Sequence, residues 1–109
     1  MNELINSQDA LLCAIDLGSN SFHLIIAKSD FGELRPVHTL AEKVQLGETS
    51  AQAALSPAAI TRGLECLERF KQMIDSTAPG KIRVVGTNAL RRAKNRQEFI
   101  EPAEQVLEA

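Results

Sequence analysis

Tryptophan and tyrosine are absent from the 109 residues, and the four phenylalanines are assigned to apolar runs. Single-stranded nucleic acids are normally held on aromatic stacking platforms, so no nucleic-acid partner is expected. No stretch approaches the ~20 apolar residues that cross a bilayer as a helix, so no membrane span is expected either. The first ten residues carry acidic side chains and no basic one. That excludes the basic start of a secretory signal and leaves residues 1–10 as a loose tail. Cysteine is scarce too: Cys13 and Cys66 have no second cysteine or histidine at ligand spacing, which excludes a zinc site. Both fall on apolar faces and read as reduced, buried thiols. His23 and His38 are isolated and read as packed or surface histidines. There are no repeats, low-complexity tracts or linkers. A chain of this length builds one domain around one core, and these features together place it in the cytoplasm.

The hydrophobic share of 44% and charged share of 24% are ordinary for a globular domain. The net charge of −2 hides an uneven distribution. Lys81, Arg83, Arg91, Arg92, Lys94 and Arg96 form a basic segment without an acidic residue. A local positive field on a mildly acidic protein suits a polyanionic ligand. Lys94 and Arg96 are more simply the solvated face of a helix.

Two apolar runs, Leu11 to Leu17 and Phe22 to Ala27, flank a Gly-Ser-Asn-Ser turn with Asp16 at its entrance. This is a β-hairpin pattern. Gly18 permits a positive φ and close approach of another group. Ser19, Asn20 and Ser21 add hydroxyl and amide donors to a run of main-chain N–H groups, which makes a cradle for phosphate oxygens. Asp16 stands where a magnesium ion or its waters would be held. Leu34 to Leu46 reads as a third antiparallel strand after a turn at residues 30–33. Ser56-Pro57 starts a helix, with serine as cap and proline in the first position. Ile60, Leu64, Leu67, Phe70 or Lys71, and Ile74 give it an apolar face, and Ala78-Pro79-Gly80 stops it. Lys81 to Gly86 is a short strand, parallel to the first through a right-handed crossover. A helix presenting Arg91 and Arg92 follows. Asn95 and Glu98 have capping-box spacing, which predicts a further helix from Arg96 with Phe99, Ala103, Val106 and Leu107 inward. Pro102 predicts a kink or restart within it.

The octet Asp16 to His23 resembles the first phosphate-binding hairpin of the exopolyphosphatase and guanosine pentaphosphate phosphatase family, in the actin, sugar kinase and Hsp70 superfamily. Val84 to Asn95, Glu42 to Gly47 and Arg62 to Leu67 also match the family, in order, so the resemblance covers nearly everything from Ala14 onward. It implies an α/β fold: an incomplete actin-like (ribonuclease H-like) domain of a three-strand antiparallel meander, a helix, a parallel strand and further helices. It implies phosphoanhydride hydrolysis with magnesium, on inorganic polyphosphate or guanosine pentaphosphate, and a homodimer for the full-length enzyme. Val85-Gly86-Thr87 and Lys43 to Leu46 look nearer to the polyphosphatase branch.

By the same resemblance, Asp16, Asn20 and Arg91 take positions used around phosphate and metal: Gly18, Ser19, Asn20, Ser21 and Arg91 on phosphate, Asn20 and Arg91 in catalysis, Asp16 on the metal, directly or through water. The family's glutamate base and second glycine-rich loop have no counterpart here, and Glu98, Glu101, Glu104 and Glu108 are helix-surface residues rather than replacements. Residues 11–109 are therefore expected to be the N-terminal part of a longer enzyme, ending before its fifth strand. A kinase of the same superfamily is disfavoured by Thr87-Asn88-Ala89-Leu90-Arg91. A non-catalytic phosphate-binding or subunit-pairing role stays open.

Overall fold

Alternating apolar residues set the first three strands. The computed structural model describes residues 11–46, 54–86 and 88–108. The tail at 1–10, most of the connection after Leu46 and Thr87 lie outside the described residues. Strands β1 (Leu11–Leu17), β2 (Ser21–Asp30) and β3 (Glu33–Lys43) form an antiparallel meander. Cys13, Ile15 and Leu17 of β1, with Phe22, Leu24 and Ile26 of β2, point to the core, as the two-residue period of a strand requires. Helix α1 (Pro57–Thr77) crosses over to β4 (Lys81–Gly86), which pairs parallel with β1. The sheet order is β3-β2-β1-β4, the expected α/β arrangement.

The β2–β3 turn corrects one reading. Phe31 belongs to no apolar run: it is 99% exposed at the hairpin tip. Phe31 and Gly32 both have positive φ, 53° and 81°, the left-handed pair that the twist of a tight hairpin favours. Further along, Ile26 pairs with His38 and Ala27 with Pro36, so Val37 is an extra residue, a β-bulge. Pro36 has no N–H to give, and the edge position of β3 among the described strands tolerates that. The strand stops at Lys43 rather than Leu46, while Val44 and Leu46 stay buried.

Ser56 caps α1 as its sequence suggests, its Oγ accepting from the Ala59 N–H at 3.1 Å, and Pro57 is the first helical residue. The helix ends on Ala78 in the left-handed conformation, whose N–H donates to the Ile74 carbonyl at 2.7 Å. Its buried stripe is Ala59, Gly63, Cys66, Leu67, Phe70 and Ile74; Ile60 and Leu64 only flank it. The stripe is turned because Gly63 serves as a socket. A Cβ there would lie 2.7 Å from Phe99 Cε1. Phe99 also meets Phe22 edge-on, with ring centroids 6.0 Å apart, a preferred aromatic geometry.

Helices α2 (Asn88–Arg92) and α3 (Gln97–Glu108) complete the described fold. Helix α3 runs through Pro102 without the expected restart. The one N–H that proline lacks would have gone to the carbonyl of Glu98, an exposed residue, where water can substitute. Asn95 also departs from the capping-box reading. Its side chain turns to Leu55, accepting from that N–H at 2.7 Å and donating to that carbonyl at 2.9 Å. Phe99 and Ala103 are buried, whereas Val106 and Leu107 are only partly so. An apolar groove of ≈ 470 Å³ separates α3 from β4, lined by residues including Ile82, Val84, Leu90 and Leu107.

Both cysteines are free and buried. Burial pushes the Cys13 thiol up to about 11. Burial, then the charge and hydrogen bond of Glu42, pushes Cys66 to about 12. Glu42 itself is held below the usual carboxylate range mainly by its hydrogen bond with Arg69. That pair is two-pronged, at 2.8 and 2.6 Å, and ties the end of β3 to α1.

Candidate functional site

The β1–β2 turn is closed by the Gly18 N–H donating to the Ser21 carbonyl at 3.0 Å. Gly18 does not use the positive φ that glycine allows; among the described glycines only Gly32 has one. What Gly18 supplies is space. A Cβ on it would sit 2.5 Å from the Ser21 carbonyl oxygen, well inside van der Waals contact. Ser19 and Asn20 form the exposed tip and Ser21 is half-buried.

The tip is fastened from behind. The Asn20 carbonyl accepts from the N–H groups of both Val44 (2.9 Å) and Gln45 (2.8 Å). Gln45 adopts a left-handed φ of 56° to allow this. From α1, Arg62 reaches the same dipeptide: Nε donates to the Val44 carbonyl at 2.7 Å and Nη2 to the Gln45 carbonyl at 3.3 Å. The sequence gives no local sign of this support, because the three segments are far apart along the chain.

Asp16 is exposed and has no ion pair or hydrogen bond from its side chain to any described residue. It pairs in register with His23 on β2 and Val85 on β4. Directly paired residues project from one face of a sheet, so His23, set aside as isolated, neighbours Asp16 on the outer face. The period-two alternation of β1 and β2 carries that signal once the hairpin register is known.

Arg91 leaves α2 just beyond β4, and its Nη1 donates to the Gly86 carbonyl at 2.6 Å. Gly86 lies beside Leu17 in the parallel register. Arg91 is thereby docked at the same end of the sheet as the turn, with Nε and Nη2 unpartnered among the described residues. Arg96 Nη1 in turn donates to the Arg91 carbonyl at 3.1 Å. Arg92 is exposed and makes no such contact among the described residues. Glu98, Glu101, Glu104 and Glu108 are exposed on α3. No group of three or more His, Cys, Asp or Glu side chains gathers for a metal among the described residues.

A meander joined through a helix to a parallel fourth strand, with a hairpin turn and an arginine at one end, defines the opening of an actin-like α/β domain. Comparison with known proteins narrows this. The Ppx/GppA phosphatase family matches residues 25–109. A Haemophilus influenzae protein named for exopolyphosphatase is 43% identical over 87% of this chain and 30% of its own length. A guanosine-5'-triphosphate,3'-diphosphate pyrophosphatase of Aeromonas hydrophila is 44% identical over 89% of this chain and 20% of its own. The crystal structure of the Aquifex aeolicus family member superposes with a TM-score of 0.84 at 29% identity, over 91% of this chain and 33% of that one. An exopolyphosphatase from Cytophaga hutchinsonii gives 0.84 at 26% identity, over 89% and 31%. This chain belongs to the Ppx/GppA phosphatase family, and it spans a fifth to a third of the length of these relatives.

Proposed function

We propose that this chain is the phosphate-cradling N-terminal part of a phosphoanhydride hydrolase that releases terminal orthophosphate from inorganic polyphosphate. The observation that carries this reading is the pairing of two supported features at one end of the sheet: the braced turn Gly18 to Ser21 and the docked guanidinium of Arg91. Exposed N–H and hydroxyl groups of the turn would hold phosphate oxygens. Arg91 keeps two nitrogens for a planar clamp on a phosphoryl group. Donors fixed before the ligand arrives stabilise developing charge without reorganising.

A magnesium ion fits Asp16 as a single protein ligand. Magnesium commonly takes one or two carboxylates and completes its shell with water and phosphate oxygens. When bound, it would neutralise charge on the phosphoryl oxygens. The base that orients water is supplied in our reading by the longer enzyme, which acts in the cytoplasm as a homodimer. The 44% identity to a pyrophosphatase named for guanosine-5'-triphosphate,3'-diphosphate supports guanosine pentaphosphate as the second substrate reading.

Calorimetric titration of the 109-residue chain with tripolyphosphate, with and without magnesium, tests the cradle. Saturable binding that weakens with salt is expected, without turnover, since loss of a positioned base alone costs ~10²–10⁴-fold. Absence of binding, or phosphate release at an enzyme's rate by the chain alone, overturns the proposal.

A further inference from the structure

We infer that Arg62 is a positioning residue for the anion-binding turn, holding Asn20 in place through the main chain of Val44 and Gln45. This rests on the reading of the turn as an anion site, and it assigns a role to a residue on α1, outside the turn.

The Val44–Gln45 dipeptide is bonded on both sides. Its two N–H groups face the Asn20 carbonyl at 2.9 and 2.8 Å. Its two carbonyls face the Arg62 guanidinium at 2.7 and 3.3 Å. One peptide unit lies directly in line: Arg62 Nε donates to the Val44 carbonyl, and the N–H of that same unit, carried by Gln45, donates to Asn20. The next unit in the relay joins the Asn20 carbonyl to the Ser21 N–H, a main-chain donor of the turn. Hydrogen bonds in such a series polarise one another. A cation at the far end therefore strengthens each donor toward the turn and makes the Ser21 N–H a better partner for an anion.

Geometry adds to this. Gln45 is held in the left-handed region at φ 56°, which a residue with a Cβ adopts only when its surroundings demand it. Arg62 is the side chain that grips both carbonyls of this bend. Without the guanidinium fork the bend relaxes, the two N–H groups diverge, and Asn20 is no longer fixed.

The test measures two quantities on the full 109-residue chain and on Arg62→Gln, Arg62→Lys and, as a charge control at the far end of the β2–β3 hairpin, Arg35→Gln. One is the hydrogen-exchange rate of the Val44 and Gln45 amides relative to the core amides of Ile15 and Leu24. The other is the dissociation constant for tripolyphosphate. Arg62→Gln is expected to speed exchange at Val44 and Gln45 and weaken binding by about tenfold or more each, as loss of a charged hydrogen bond implies, with Ile15 and Leu24 unchanged. Arg62→Lys, which keeps one charged donor, should recover part of both. Arg35→Gln should move neither beyond a small salt-sensitive change in affinity. Should Arg62→Gln fail to fold, the Lys variant carries the same comparison. Wild-type protein that does not bind tripolyphosphate overturns the anion reading and this inference with it. Binding by the wild type that is unaffected by Arg62→Gln, or weakened without faster exchange at Val44 and Gln45, overturns the inference alone.

Discussion

Replacing Gly18 with alanine isolates what the turn requires. The added Cβ would lie 2.5 Å from the Ser21 carbonyl oxygen, and that oxygen is main chain, so no side-chain rotation relieves the clash. Gly18 has no left-handed φ to lose, so the penalty is steric and not conformational. Opening the turn gives up the Gly18 N–H to Ser21 bond, worth about 0.5–1.5 kcal/mol, and overpacking strain adds ~1–3 kcal/mol. The stiffer unfolded chain of an alanine variant returns about 0.4–1 kcal/mol. A net destabilisation of roughly 0.5–4 kcal/mol is expected, read as a lower urea midpoint at unchanged slope. Gly63→Ala supplies the contrast. Its Cβ meets the Phe99 ring at 2.7 Å, a comparable insult to stability, partly offset by about 1 kcal/mol of helix propensity. The two should part in tripolyphosphate binding: Gly18→Ala loses it while still folded, and Gly63→Ala keeps it. A Gly18→Ala protein within ~0.5 kcal/mol of wild type, or with unchanged affinity, refutes the account of the turn.

Other expectations follow from the same contacts. In a longer enzyme carrying this sequence, Arg91→Ala should cost about 2–4 kcal/mol in kcat/KM, as for loss of a preorganised donor, and Arg91→Lys should recover little. Arg92→Ala should mainly weaken capture of long chains, less so at high salt; equal losses at both positions would put the wrong arginine in the site. The thiols of Cys13 and Cys66 are raised from 9.0 to about 11 and about 12, so the folded state holds protons that the unfolded state releases. Their contribution to stability is full below about pH 9 and declines as pH rises through the folded values; an identical decline in a Cys13→Ala/Cys66→Ala protein would contradict this. Ala78→Gly, at a left-handed φ of 48°, should raise stability by about 0.5–1 kcal/mol, and a lowered melting temperature would count against it. Strand β4 ends the described sheet, with Ile82, Val84 and Val85 at 44%, 43% and 52% exposure. Such an edge invites pairing, so light scattering should show self-association that Val84→Lys suppresses; a concentrated wild-type monomer would disprove it.

The hairpin, the Ser56-Pro57 start of α1 and the parallel return of β4 were legible because each rests on local signals: alternation, capping and chain-stopping residues. What sequence could not convey is contact between distant segments. Gly63 carries no apolar weight, yet it fixes the rotation of α1 by admitting Phe99. Asn95 has the spacing of a cap, but the Leu55 main chain offers it two partners at once. At the candidate site, Asp16, the turn residues and Arg91 were all marked by motif, and the fold sets them at one end of the sheet. His23 is a surface histidine, as its sequence suggests; its place beside Asp16 needed the strand register, and the link from Arg62 runs through main-chain atoms of a distant segment.

The sheet order bears on how a newly made chain matures. The turn at Gly18 lies within a meander of neighbours in sequence, so it can form while later residues are still being synthesised. Arg91 arrives only once β4 has docked beside β1, after α1 has crossed over. Contacts spanning such separations form slowly because loop closure precedes any reward. The two features proposed to hold the anion are thus assembled at opposite ends of the folding sequence, and a ribosome-bound chain ending before β4 would carry the turn without its arginine. On the proposed reading, capture of a polyanion would mark the completion of folding, and a polyanion that needs both features would draw late intermediates forward by mass action.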